Sequence, residues 1–100
     1  MMRVEPILLD GHTVIAIEVK LPKTTLLVVT TDKGYIMCGA LDVALLNERL
    51  RDRNIIAARA TGVRTIQELL DAPLESVTYT AEDLGIHAGM TGREAILKMV

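Results

Sequence analysis

Two segments, Leu26-Leu27-Val28-Val29 and Tyr35-Ile36-Met37-Cys38, show no alternation between apolar and polar residues. Successive strand side chains point to opposite faces, so a strand wetted on one side alternates, and one that does not needs cover on both. That demand limits what the chain can fold into: a sheet with something apolar above it and something apolar below. With 100 residues the chain suits one domain, hiding roughly two-thirds of the surface its unfolded form exposes.

Turn signals set the order of the strands. Asp10-Gly11 lies between Ile7-Leu8-Leu9 and Thr13 to Val19, a strong hairpin signature. Leu21-Pro22-Lys23-Thr24 and Asp32-Lys33-Gly34 punctuate the chain again, which predicts a β-meander of about four strands, the last over 35–41. Helix and strand then alternate. Asp42 is placed to cap a helix running to about Arg53, with Val43, Leu46 and Leu50 on one stripe. A short strand is expected from Ile55 to Thr61. Thr65-Ile66-Gln67-Glu68 reads as a capping box for a helix stopped at Ala72-Pro73. Ser76 to Thr80 has the alternation of a half-buried strand, and Ala81 to Gly85 that of one helical turn, with Asp83 as reciprocal partner of a Thr80 cap. Thr91-Gly92-Arg93-Glu94 is a second capping box, opening a final helix. Strands first and helices afterwards predict an α+β fold, a two-layer α/β sandwich with an N-terminal antiparallel β-meander. The expected organisation is a single domain over residues 1–100, with 1–41 as the meander and 42–100 as the α/β portion.

Three short helices suffice for one face of such a sheet. The other face of the N-terminal strands is expected to be covered by an identical subunit, since association through one self-complementary patch needs no second gene product. Leu45, opposite the helix stripe and among Glu48, Arg49 and Asp52, is a smaller sign of the same kind. A net charge of −2, no basic stripe and only two aromatic residues speak against nucleic acid as a partner. Apolar runs far below ~20 residues and a start without the pattern of a secretory signal predict no membrane span. A lone Cys38 fits a reducing compartment, so a cytoplasmic location is expected.

Few residues suggest chemistry. Cys38 sits just before the helix that Asp42 starts, where a thiol can become nucleophilic, although neither His12 nor His87 is tied to it locally. The commoner fate of such a cysteine is a small buried hydrophobe. Gly39, Ala40, Leu41 and Asp42 form a strand-to-helix turn able to offer backbone N–H groups to an anion, and Arg59 and Arg64 are the basic residues best placed to fork onto a carboxylate or phosphate. Such an arginine is more often the partner of an acidic side chain, here Asp42, Glu48 or Glu82, or simply an edge-strand charge. Glu82, Asp83 and His87 hold metal-ligand types but read as a surface turn, and no metal is expected. The glycines at 85, 89 and 92 lack the strand and acidic residue of a dinucleotide fingerprint.

The run Gly34 to Glu48, the blocks Val63 to Ile66 and Leu69 to Thr78, and the closing Ala81 to Ile86 and Gly89 to Ala95 resemble the YunC-like family of uncharacterised bacterial and archaeal proteins, across nearly the whole chain. The resemblance implies an α/β two-layer domain whose N-terminal β region makes a homo-oligomer, a tetramer. It implies no activity, cofactor or catalytic residue. Three functions follow as expectations: an oligomeric domain binding a small ligand or a protein partner where the Cys38–Asp42 turn meets Arg59 and Arg64; a thiol-dependent enzyme with Cys38 as nucleophile and an oxyanion site at Gly39-Ala40; and a structural assembly component.

Overall fold

The computed structural model describes residues 1–100, the side chain of Arg51 excepted. Six strands form one sheet in sequence order: β1 (Met2–Leu9), β2 (His12–Leu21), β3 (Thr24–Thr30), β4 (Gly34–Met37), β5 (Ile56–Arg59) and β6 (Ser76–Val77). Every neighbouring pair is antiparallel except β4 and β5, which run parallel through a helical crossover. Helices α1 (Val43–Glu48), α2 (Ile66–Asp71), α3 (Tyr79–Asp83) and α4 (Gly92–Leu97) complete an α+β fold.

The turns form for the reasons their residues dictate. Asp10 and Gly11 take φ values of 46° and 85°, the two positive angles that match the right-handed twist of a tight hairpin. Pro22 precedes Lys23 at φ 65°, an arrangement that fixes the second hairpin. β1 is longer than Ile7-Leu8-Leu9, because Met2 to Pro6 also pair with β2.

Several boundaries differ from the sequence expectation. The helix begun by Asp42 ends at Glu48 rather than Arg53, and a separate 3-10 turn follows at Arg51–Arg53. The fourth strand stops at Met37, and the fifth covers Ile56–Arg59. Thr65 caps α2, but Glu68 reaches past it to accept from the Arg64 N–H at 2.7 Å, so the reciprocal half of that box is absent. The box at Thr91 and Glu94 is complete. The expected strand over 76–80 ends at Val77, and the cap of α3 is Thr78, not Thr80. The Thr78 hydroxyl takes the Ala57 N–H at 3.2 Å while the Thr78 N–H bonds the Ala57 carbonyl. One residue therefore continues the ladder and starts a helix.

The two sheet faces are covered unequally. Val14, Ala16, Leu27, Val29, Ile36 and Ala58 point to one side and are buried there, most of them in one core with Leu69, Leu70, Ala81, Ala95 and Ile96 from the helices and Met99 just after α4. On the other side α1 and the loop before it cover only β4 and β5, through Leu41, Val43 and Leu46 against Ala57 and Tyr35. The strand register leaves β1–β3 uncovered on that side. Its rows run Met2–Val19–Leu26, Val4–Ile17–Val28 and Pro6–Ile15–Thr30. Among the described residues of β1–β3 no charged side chain lies on this face. Arg3, Glu5, Glu18 and Lys20 all project to the opposite, helix-bearing side of the β1–β2 hairpin. Val4 is 54% exposed and Leu8 71%.

Candidate functional site

Two parallel strands end side by side, β4 at Met37 and β5 at Arg59. Loops leaving the carboxyl ends of parallel strands form a crevice, the usual ligand position in such sheets. Here the loop after β4 carries Gly39 and Ala40, both exposed, and leads to Asp42. Asp42 is occupied as the N-cap of α1, accepting from the Leu45 N–H at 3.0 Å. Arg59 lies beside it, donating from Nη1 to the Leu41 carbonyl at 3.0 Å.

β6 then brings Glu75 to the same place. Arg59 pairs with Ser76 in the sheet register, so Glu75 Oε1 stands 3.8 Å from Arg59 Nε. That separation is an ion pair but not a hydrogen bond. Glu75 Oε1 accepts instead from the Ser76 hydroxyl at 2.5 Å. Arg59 Nε is buried and has no hydrogen-bond partner among the described residues. Asn47, on the last turn of α1, closes the side of the site: its amide oxygen accepts from the Tyr79 N–H at 2.9 Å, and its nitrogen donates to the Val77 carbonyl at 3.5 Å. Asn47 thereby ties α1 to β6 and α3. These groups, with Glu48, line a cavity of about 380 Å³, within the size range of small-molecule sites.

Arg59 and Asp42 are thus brought together. Arg64 is not with them: it is exposed on the approach to α2, and its backbone N–H is held by Glu68. Gly39 is exposed, and a Cβ there would touch only Thr61 at an ordinary 3.7 Å, so close packing does not require glycine. Cys38 faces away from the cavity into the core, 6% exposed, with its sulfur 3.5 Å from the Leu27 N–H. Glu82, Asp83, His87 and His12 are exposed, and among the described residues no three His, Cys, Asp or Glu side chains gather as a metal site requires.

Glu75, Ser76 and Asn47 escape a reading of sequence alone. Glu75 is sixteen positions from Arg59 and meets it only through the β5–β6 register. Asn47 left one local sign, a poor helix former in the middle of a helical pattern. A second concavity of about 400 Å³ lies between the end of the first hairpin and the end of α4, lined by His12, Thr31, Lys33 and Met99 among others. The Thr31 hydroxyl there is engaged, donating towards the Gly34 and Met99 carbonyls and accepting from the Lys33 and Gly34 N–H groups.

A family model described as a domain of unknown function, DUF1805, matches residues 37–99. The chain is 65% identical over 100 residues to the uncharacterized protein YunC of Bacillus subtilis (strain 168), covering 100% of this chain and 99% of that protein. It also superposes on the crystal structure of TA1206, a protein of unknown function from Thermoplasma acidophilum. The TM-score is 0.89 at 30% identity, over 100% of this chain and 94% of the other. The matched span 37–99 holds every residue of the Arg59 cavity.

Proposed function

Since the chain belongs to the DUF1805 family of YunC-like proteins, whose description assigns no reaction, we propose that it works as a homo-oligomeric binding domain. Copies join through the uncovered face of β1–β3, and a small polar ligand occupies the Arg59 cavity. The observation that carries this reading is the uncharged sheet face. Three strands of seven to ten residues at ~3.3 Å per residue and ~4.8 Å spacing present roughly 400 Å² in plan. A corrugated surface exposes more than its plan area, so two such faces bury near the ~1,000 Å² at which specific interfaces begin. A face without charge offers a foreign partner nothing to recognise electrostatically, but it complements itself about a two-fold axis.

The free edge of β1 is a poor alternative. Met1 and Lys20 exchange both backbone hydrogen bonds, at 2.8 and 3.3 Å, so by antiparallel alternation Met2, Val4, Pro6 and Leu8 turn their backbone groups outward. Pro6 has no N–H to offer in the middle of that row. Face-to-face contact remains. The tetramer implied by the family resemblance would add a second two-fold contact. A buried free thiol at Cys38 and the absence, among the described residues, of a helix long and apolar enough to cross a membrane support a cytoplasmic site of action.

Ile17 lies at the centre of the face, paired with both Val4 and Val28. Ile17→Glu should halve the mass found by sedimentation equilibrium, a dimer falling to one chain and a tetramer to two, while the circular dichroism of the fold persists. An unchanged mass would remove the interface. For the cavity, a metabolite at a hundred times its dissociation constant should add ~2.7 kcal/mol of stability in a thermal-shift screen. A broad screen in which no compound stabilises the protein would remove the ligand.

A further inference from the structure

We infer that the Arg59 cavity takes an amino-carboxylate zwitterion, a small molecule bearing both a carboxylate and an ammonium group. This rests on the reading of the cavity as a ligand site and names the ligand's chemistry. Arg59 is anchored at one end by the Leu41 carbonyl at 3.0 Å, which fixes the plane of its guanidinium. Its Nε–H has no acceptor among the described residues. The nearest carboxylate oxygen, of Glu75, stops at 3.8 Å and is engaged by the Ser76 hydroxyl. A fixed guanidinium edge with an unmet N–H matches a planar oxyanion, which it binds through parallel hydrogen bonds.

A bare anion does not suit the site. Asp42, Glu48 and Glu75 line the same cavity against the one guanidinium, so formal charge there is −2, from one positive and three negative groups. That surplus repels a simple carboxylate. A bare cation satisfies the surplus and leaves the Arg59 edge unmet. A zwitterion answers both. Its carboxylate takes the guanidinium edge, displacing the half-exposed Glu75 side chain, which turns to the ammonium group together with Glu48. The cavity volume of about 380 Å³ holds a molecule of amino-acid size with water to spare.

Titrations of the ¹⁵N-labelled full chain followed by amide chemical shifts test this, with L-alanine, β-alanine and γ-aminobutyrate as zwitterions and acetate and propylamine as the separate halves. At least one zwitterion should move the Leu45, Ser76 and Tyr79 amides saturably, at a dissociation constant at least tenfold below that of either half. Arg59→Gln should weaken it at least tenfold, and so should Glu75→Gln, a milder change that leaves the Leu41 contact in place. Equal binding of acetate or propylamine at these amides would overturn the zwitterion and leave the cavity a ligand site. Binding unaffected in both variants, or no response to any of the three zwitterions, would overturn the inference too, while the metabolite screen decides the broader reading separately.

Discussion

Replacing Thr78 by Val tests how the sheet and the cavity wall are joined. Among the described residues Thr78 is the one buried polar residue, 3% exposed. Its hydroxyl donates to the Ile55 carbonyl at 2.7 Å and accepts from the Ala57 and Ala81 N–H groups, each at 3.2 Å. Valine keeps the shape and loses all three bonds. The Ala81 bond is the N-cap of α3, worth ~1 kcal/mol. Ala57 is 0% exposed, so its N–H is left without water, at a cost of ~1–3 kcal/mol. Together Thr78→Val should destabilise by ~3 kcal/mol, which lowers the urea midpoint by ~2 M for a slope of ~1.5 kcal/mol/M. Thr78→Ser keeps the hydroxyl and loses one methyl group, for ~1 kcal/mol. The assay is urea unfolding followed by circular dichroism at one fixed protein concentration, because association contributes to apparent stability. A valine variant within ~0.5 kcal/mol of the parent, or a serine variant as damaged as the valine one, would refute the reasoning, since packing and not hydrogen bonding would then decide.

Other consequences can be checked with simple variants. A Cβ on Gly92 would run into the Leu69 carbonyl and approach Ile36 Cδ1 to 2.8 Å, so Gly92→Ala should lose ~1–3 kcal/mol to overpacking despite a helix-propensity gain of ~1 kcal/mol; a rise in melting temperature would show that α2 and α4 separate easily. Cys38, 6% exposed in the core, should react with iodoacetamide slowly in the native protein and fully in urea. Rapid stoichiometric labelling of the native protein would reopen the thiol-enzyme reading.

The meander was legible because its turns depend on local chemistry. Asp10-Gly11 needs two positive φ values, and those residues tolerate them. That β3 is apolar on both faces was legible too, since Val28 and Val29, adjacent in sequence, face opposite sides whatever the tertiary structure. The rest depends on distance. Nothing near Ser76 or Tyr79 announces that Thr78 will stop the strand; the stop comes from Ala57, twenty-one residues away. Glu68 could cap either Thr65 or Arg64, and only the backbone path into α2 decides for Arg64. Leu50 extends the apolar stripe after Asp42 and so predicts a helix to about Arg53. It ends instead where the Arg49 N–H closes onto the Leu45 carbonyl and the chain turns towards β5. Arg59 was a visible candidate, but its partner Glu75 immediately precedes a strand of two residues, Ser76–Val77, whose register no periodicity could set. The expected meeting of Arg59 and Arg64 failed for a related reason. Arg59 ends a strand on the α1 side of the sheet, whereas Arg64 lies beyond the next loop, beside the helix on the other face.

Light scattering on the unmodified protein as it leaves a gel-filtration column, at several micromolar concentrations, bears most directly on the shared sheet face. A mass at a whole-number multiple of 10.9 kDa, two or four, is what an uncharged apolar face seeking its own copy requires. A sharp peak at 10.9 kDa throughout would contradict it.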